Sequence, residues 1–495
     1  MTINPLRSLI EMKRIYRISI LTAAIIASVG SAVAQDLRTA YFLDDFKWRH
    51  DMNPAFGNRQ SYVALPFSNI NVGIQGSFGV DNFLFENPRW GQPGEKRTVT
   101  FMHPDITYDQ SVGKLKNGLK TRVDFRETII GLGFRAFHGY NTLDVNVKGM
   151  AGVSFPKSFL EFAKSVRNDT YSFDDLAARG MAYGEIALGH SHQLNEQLRI
   201  GARVKALIGL GRVDVSMENA YARLEGDVWE LRAQAKAEVN AKGFAFVTEQ
   251  EEYQSKSREG QTYDKVTDVD VDDYKPMGGF GLGIDLGATY DGLLPGLTLS
   301  ASLTDLGFIR WKTKTVAKTS ETHFTFDGFH EVAVDGDYGT SLDDELDDYE
   351  DQLSDFLNLA VTDETGSSTH ALAATLNLGA EYRMPFYNRL SAGLLLSRHF
   401  SGSNFSWTEG RLSANLAPSR SFSLALSYGL SNYGSSLGYV LHYHPKVINI
   451  FFGMDRIALG KYATYEGIPI PMKPSFNLVM GVSFAIGGGK NAYEW

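Results

Sequence analysis

The chain has no cysteine among its 495 residues. Disulfides are therefore excluded, and so is any thiol nucleophile or iron–sulfur centre. An exported chain of this kind draws its stability from burial or from closure of a barrel. Beyond the first 34 residues it also has no apolar run approaching the ~20 residues that a membrane-spanning helix needs. Only a closed barrel, whose strands satisfy every backbone group, can then place it in a membrane. Positive charge is in deficit: 48 Lys and Arg against 57 Asp and Glu leave a net charge of −9, which argues against a nucleic-acid partner. Mean hydropathy is −0.19. That value excludes a helical membrane bundle but not a barrel, half of whose strand residues face the lumen.

What is present begins with an export address. Lys13, Arg14 and Arg17 precede an apolar core from Ile18 to Val29 and the small-residue site Ala32-Val33-Ala34. This is the order of a secretory signal peptide, with Met1 or Met12 as the start and cleavage expected between Ala34 and Gln35. The predicted organisation is a signal peptide over 1–34, an N-terminal segment over 35–60 and a barrel over 61–495, with loop insertions near 156–181, 257–276 and 312–369.

The strongest pattern lies between Gly278 and Trp311. Phe280, Leu282, Ile284, Leu286, Ala288 and Tyr290 share one parity, while Gly279, Gly281, Gly283, Asp285, Gly287 and Thr289 hold the other. After the turn at 291–296, Leu297, Leu299, Ala301 and Leu303 oppose Thr298, Ser300, Ser302 and Thr304. Successive side chains of a strand point to opposite faces, so each run has one apolar and one polar face. Both runs exceed the ~5–6 residues of an ordinary strand. The same texture recurs at 127–138, 143–155, 182–194, 198–210, 229–239, 244–256, 370–383, 389–400, 405–416, 420–430, 436–444, 446–455 and 476–486. The runs 229–239 and 244–256 are expected to pair across 240–243. Short connections alternate with long ones, as in outer-membrane barrels with short periplasmic turns and long external loops. The expectation is all-β: a transmembrane barrel of about 14–16 antiparallel strands, with an N-terminal plug and helical insertions in the outer loops. A soluble β-sandwich also alternates, but with turns every ~8–12 residues and no such asymmetry.

Several pieces resemble a known family. They are Asn53-Pro54-Ala55, Tyr62-Val63-Ala64-Leu65-Pro66 with Asn71-Val72-Gly73, Gly201-Ala202-Arg203-Val204-Lys205 with Gly209, Gly283 to Tyr290, and Asp305-Leu306-Gly307-Phe308-Ile309-Arg310-Trp311. Together they resemble an uncharacterised family of Bacteroidota outer-membrane proteins, catalogued as a domain of unknown function. That family is similar to the wider FadL-like group of fatty-acid transporters and PorV-type barrels. The resemblance implies that residues 35–60, rich in Tyr41, Phe42, Phe46, Trp48 and Phe56, form a plug carrying the motif Asn53-Pro54-Ala55. The alternative is a periplasmic tail ahead of the first strand.

On the polar parity, 198–210 offers Arg199, Arg203 and Lys205, and 228–240 offers Glu230, Arg232, Lys236 and Glu238; Asp285 joins them from 278–290. These are the candidate residues facing a ligand or the plug, or else a self-neutralising wall. Strands after 370 offer small inward residues such as Ser421, Ser423, Ala425, Ser427 and Gly429, and the Gly279, Gly281, Gly283 row leaves room for close backbone approach. Loop helices are expected at 157–167 and, with an acidic face, at 343–355. Asp268-x-Asp270-x-Asp272-Asp273 opens like a calcium loop but has Asp273 where Gly is needed and Gly279 where Glu is needed. His190/His192 and His442/His444 share strand faces without further ligands at diagnostic spacing. No metal, cofactor or catalytic residue is predicted. The functional expectation is an outer-membrane, FadL-like barrel moving or holding a hydrophobic or amphiphilic small molecule, in contact with membrane lipid and lipopolysaccharide. The alternatives are a PorV-like platform for a secreted or surface protein and, behind it, a barrel-embedded hydrolase.

Overall fold

A computed structural model describes residues 36–486 except 80–81, 166, 226–227, 254–257, 259, 272, 321, 327–355, 357, 458–461, 466–467 and 472–474. The expected signal peptide and the 343–355 helix lie outside the described residues. The wall is a closed ring of 14 antiparallel strands, so the all-β barrel holds at the lower end of the expected count. In chain order these are β1 (Ser61–Ala64, resumed at Ile70–Gly76), β2 (Leu119–Ala136), β3 (Gly139–Phe155), β4 (Ala177–Gln193), β5 (Leu198–Arg223), β6 (Gly279–Tyr290) and β7 (Leu297–Trp311). Then follow β8 (Thr375–Arg383, with Ser368–Ala371 ahead of it), β9 (Leu390–His399), β10 (Trp407–Ser419), β11 (Phe422–Ser431), β12 (Gly434–Tyr443), β13 (Ile448–Ile457) and β14 (Ser475–Ile486). The seam is β1 on β14, with Val63 opposite Phe484 and Ile70 opposite Met480. Closure leaves the ring no free edge.

Alternation decides which way each residue points. On β14, Phe476, Met480, Val482, Phe484 and Ile486 are exposed outward while Asn477, Val479 and Ser483 are buried inward. On β5, Ile200 and Val204 face out, and Arg203 and Lys205 are buried. An apolar belt around a polar lumen is what a strand needs when one face meets lipid. The wall is uneven in height. Strands β2 to β5 run 18, 17, 17 and 26 residues, whereas β9, β11, β12 and β13 have 10 each.

One expected hairpin is corrected. Trp229–Asn240 and Ala245–Glu252 do not pair with each other and do not join the ring. The first pairs with the outer half of β5, Arg212 to Arg223, and with Thr315–Thr319 and His323–Phe326. The second pairs with Thr262–Asp270. The physical reason is that β5 overshoots the ~9–11 residues a wall strand needs. Its projecting half must be paired, and the sheet that pairs it alternates in the same period as a membrane strand. The turn asymmetry is also incomplete, because β11 and β12 meet in a tight hairpin at the long-loop end, with Ser431 opposite Gly434. Lys157–Lys164 is a helix, amphipathic on Leu160. Asp268 and Asp270 belong to a strand, not to a calcium-type loop.

Candidate functional site

Residues 36–60 lie inside the ring and touch strands all round it. The segment is mostly irregular, with two short 3-10 turns at Arg38–Ala40 and Arg49–Asp51. Its aromatic side chains supply the burial that its backbone pattern lacks. Phe46 meets Phe451 of β13 edge-on at 4.9 Å, and Trp48 packs on the same ring at 5.1 Å and on Tyr62 of β1 at 6.0 Å. Tyr41 packs on Phe42 and Phe56.

Two ion clusters pin the segment. Near its start, Arg38 Nε reaches Glu409 Oε1 of β10 at 2.9 Å, and Glu409 also holds Arg411 (2.9 Å) and Arg456 (3.2 Å). Asp455 of β13 accepts the backbone N–H groups of Arg38 (2.8 Å) and Thr39 (2.7 Å). The second cluster lies at His50 and Asp51. Arg203 of β5 donates to Asp51 Oδ1 (2.7 Å) and Asp144 Oδ2 (2.8 Å), and His50 Nε2 lies 2.9 Å from the same Asp144 oxygen. Arg126 of β2 pairs with Asp36 and Asp51. From there the network runs to Lys205, which bonds Asp285 (2.7 Å) and Asp305 (2.6 Å), and to Lys148, which bonds Glu185 (2.8 Å). Every one of these cations thus lies beside a carboxylate, as charges taken out of water require. His50, Asp51 and Asp144 are the one trio at metal-ligand spacing among the described residues. Arg126 and Arg203 already thread their oxygens.

The motif Asn53-Pro54-Ala55 rests where the wall lacks side chains. A Cβ on Gly201 of β5 would overlap the Pro54 carbonyl and the Ala55 nitrogen, and one on Gly287 of β6 would overlap Asn53 Oδ1 and come within 2.9 Å of Pro54 Cδ. Only glycine lets the backbones meet this closely. Asn53 Oδ1 accepts the Ala55 N–H at 3.0 Å, a local Asx turn that shapes the dipeptide before it docks. The carbonyl of the preceding Met52 accepts from Ser302 Oγ (2.6 Å) and Asn377 Nδ2 (3.1 Å).

The predicted site residues divide. Arg203, Lys205 and Asp285 meet in the lumen network, and Arg199 faces a separate cavity at the short-turn end. Glu230, Arg232, Lys236 and Glu238 stand in the sheet built on the outer half of β5, outside the lumen. There Glu230 pairs with Arg223 and Glu238 with Arg212. Ser423, Ala425 and Ser427 are buried on the lumen face. The Gly279, Gly281, Gly283 row makes its close approaches to β7 and to Lys205, not to the segment. His190 stacks on His192 and bonds Asn141. His442 is buried against Phe46, and both His442 and His444 lie 3.3 Å from Ser423 Oγ. Among the described residues no carboxylate hydrogen-bonds either ring, so neither has the third group that orients a catalytic base.

Asp305 is the network residue that alternation misplaces. It shares the parity of Leu299, Ala301 and Leu303 and so belongs on the outer face. Its φ is 56°, and the β6–β7 register shifts at Ile284/Leu286. That bulge turns the carboxylate inward and reverses the faces beyond it, exposing Leu306 and Phe308 and burying Ile309 and Trp311. An Asp on an apolar parity was the signal for it. Glu409, Arg411 and Asp455 were not anticipated either.

Described cavities in the lumen have ionic linings. One of about 100 Å³ lies above the segment against Arg38, Arg122, Asp124, Lys148 and Asp305. Two others, of about 440 and 370 Å³, open at the short-turn end.

A family model described as "Family of unknown function (DUF5723)" matches residues 54–455. No curated protein matches the sequence. Among solved structures, the toluene transporter TbuX of Ralstonia pickettii is 10% identical, with 92% of this chain and 95% of that one covered and a TM-score of 0.40. The toluene transporter TodX of P. putida is 11% identical, with 88% and 92% covered and a TM-score of 0.37. A FadL homologue of Pseudomonas aeruginosa is 10% identical, with 88% and 90% covered and a TM-score of 0.35. The fold is set by the chain's own strand pairing.

Proposed function

The chain belongs to the DUF5723 family of unknown function, and from that premise we propose that it is an outer-membrane barrel of the FadL type whose residues 36–60 act as a plug. It holds or passes a hydrophobic or amphiphilic small molecule. The observation that carries this reading is the seating of Asn53-Pro54-Ala55 on Gly201 and Gly287, with ion clusters fastening the segment at Arg38 and Asp51. A ring of this size leaves an open lumen unless something occupies it. Ionic groups beside Phe56, Phe42 and Leu43 in the end cavities favour an amphiphile over a plain hydrocarbon. The reading includes no catalytic step, no metal and no cofactor. Lipid and lipopolysaccharide are the surroundings proposed for the apolar belt.

The test combines conductance and mass spectrometry on protein purified in mild detergent. The parent is expected to be silent in a planar bilayer and to carry a stoichiometric amphiphile; deletion of 36–60 is expected to open a channel and to lose that molecule. A parent that conducts freely and carries no amphiphile would sink the reading. A second reading, a platform for a secreted or surface protein, is favoured by the sheet on the outer half of β5 and the hairpin beside it, which expose Trp229 and Val247. A co-purifying protein in place of a bound amphiphile would select it.

A further inference from the structure

The larger cavity at the short-turn end, about 440 Å³, is lined by Arg49, Arg59, Arg135, Arg199 and Arg383. Three carboxylates face them, Asp44, Asp291 and Glu381, so the lining carries a net charge of +2 in a chain whose net charge is −9. One acid serves several of the cations. Asp44 alone is shared by three of them, at 3.1 Å from Arg49, 3.0 Å from Arg383 and 4.0 Å from Arg59. Arg199 donates its Nε to Gln193 Oε1 at 2.8 Å, and among the described residues no carboxylate lies in ion-pair range of it. Each guanidinium offers five donors in a fixed fork, and for Arg199 the described side-chain acceptor is the single Gln193 oxygen.

The guanidiniums are also held in place. Arg49 is nine-tenths buried, with its charge stacked 4.4 Å over the Phe56 ring. Arg199 passes over Gly57, where a Cβ would come within 2.9 Å of Nη1. Arg49 and Arg59 belong to the segment itself; of the wall arginines, Arg383 pairs with Asp44 while Arg199 bonds Gln193, so clamping of the segment does not account for Arg199. Forked guanidiniums in fixed positions suit planar or tetrahedral oxyanions bidentately. The volume falls within the ~300–1,000 Å³ of small-molecule sites. Phe56, Ala55 and Leu297 supply an apolar side to the same space.

We infer that this cavity is a binding site for a small organic oxyanion, a carboxylate or a phosphate ester. It enters from the short-turn end, with Arg199 and Arg49 as its principal ligands. The site rests on the seating of residues 36–60, which supply Asp44, Arg49, Phe56 and Arg59 to its lining, but it does not require that the barrel transport anything.

Calorimetric titration of the full chain in a neutral detergent tests it, with inorganic phosphate and hexanoate as probes and chloride as the control salt. Saturable binding of one oxyanion in the millimolar range or tighter is expected. Arg199→Gln should weaken it roughly tenfold, as loss of a charge-assisted pair does, and Arg232→Gln on the outer sheet should leave it unchanged. Arg199→Lys should fall between, because it keeps the charge and loses the fork. Preference for hexanoate identifies a carboxylate source; preference for phosphate identifies a phosphate ester. Folding of each variant is read from heat-modifiable gel mobility, and the half-exposed Arg383→Gln replaces Arg199→Gln if the latter does not fold. The inference is overturned if neither oxyanion binds saturably, or if binding is indifferent to both arginine replacements.

Discussion

Gly201→Ala asks whether the N-terminal segment is held by the missing side chains of the wall. Gly201 is fixed on both sides, opposite Ser191 of β4 and Gly287 of β6. The wall therefore cannot retreat, and the new methyl meets the Pro54 carbonyl, which is backbone and cannot swing aside. Overpacking of this kind costs ~1–3 kcal/mol. Shifting Pro54 also strains the bonds from Ser302 and Asn377 to the Met52 carbonyl, worth ~1 kcal/mol net. Docking of the segment should then weaken by about 2–4 kcal/mol, a roughly 30- to 800-fold rise in its opening constant. The absence of cysteine supplies the assay. Ala40 is fully buried in the segment, so Ala40→Cys introduces a single thiol that a maleimide reaches only when the segment opens. Labelling should accelerate by that factor in Gly201→Ala and remain at the parental rate in Gly410→Ala, where an added Cβ meets nothing within 4 Å. Equal labelling rates in a Gly201→Ala barrel that still migrates as folded would refute the seating argument.

Three further outcomes follow from other parts of the molecule. Glu409→Gln leaves Arg38, Arg411 and Arg456 without their shared carboxylate; breaking a buried ion cluster in this way should cost ~3–5 kcal/mol in denaturant unfolding, and less than ~1 kcal/mol would contradict the geometry. Burial lowers the Lys47 ammonium to about 8, against the pull of Asp45 and with Arg49 and Arg59 adding to the effect, while His442 and His444 face it from the wall. Because the folded value lies below the unfolded one near 10.5, the penalty is fully present below pH 8 and is lost as pH rises to 10.5. Docking should then tighten by about 3 kcal/mol over that window. Urea titrations followed by Trp48 fluorescence should show this slope in the parent and lose it in Lys47→Met. Trp311 is wholly buried against Gly209 and Gly279, so Trp311→Ala should lower stability by ~3–5 kcal/mol, read from the temperature at which heat-modifiable mobility is lost.

The barrel was legible because lipid imposes a strict rule of parity, and β6, β7 and β14 obey it over many residues. The rule fails where the sheet leaves lipid. Trp229–Asn240 has the same alternation for a different reason, since its sheet is two-faced beyond the wall. Periodicity therefore cannot tell an outer sheet from a wall strand. Among site residues, Arg203, Lys205 and Asp285 were found because charge on a polar parity points inward. Asp305 escaped because a single bulge reverses parity, and Glu409 and Asp455 escaped because the Ser, Gly and Ala positions of the strands after 370 masked the few charged residues on the same inward face. The seat of the segment was also hidden: Gly201 and Gly287 read as ordinary strand glycines until Pro54 is seen lying against them.

The unequal strand lengths give the barrel a sloping rim. At ~3.4 Å per residue and a tilt near 45°, the 17 residues of β3 against the 10 of β12 amount to roughly 17 Å of difference in height. On the side of β2 to β5 the taller strands stand above the mouth like a parapet. The low side is bridged rather than open. The β9–β10 connection leans across to the tall strands, where Lys120 of β2 donates to the Ser406 carbonyl (2.9 Å), Arg179 of β4 to the Ser401 carbonyl (3.2 Å), and Phe405 fills the space that Gly152 of β3 leaves. The lower strands thus roof the Glu409 ion cluster by leaning on the parapet.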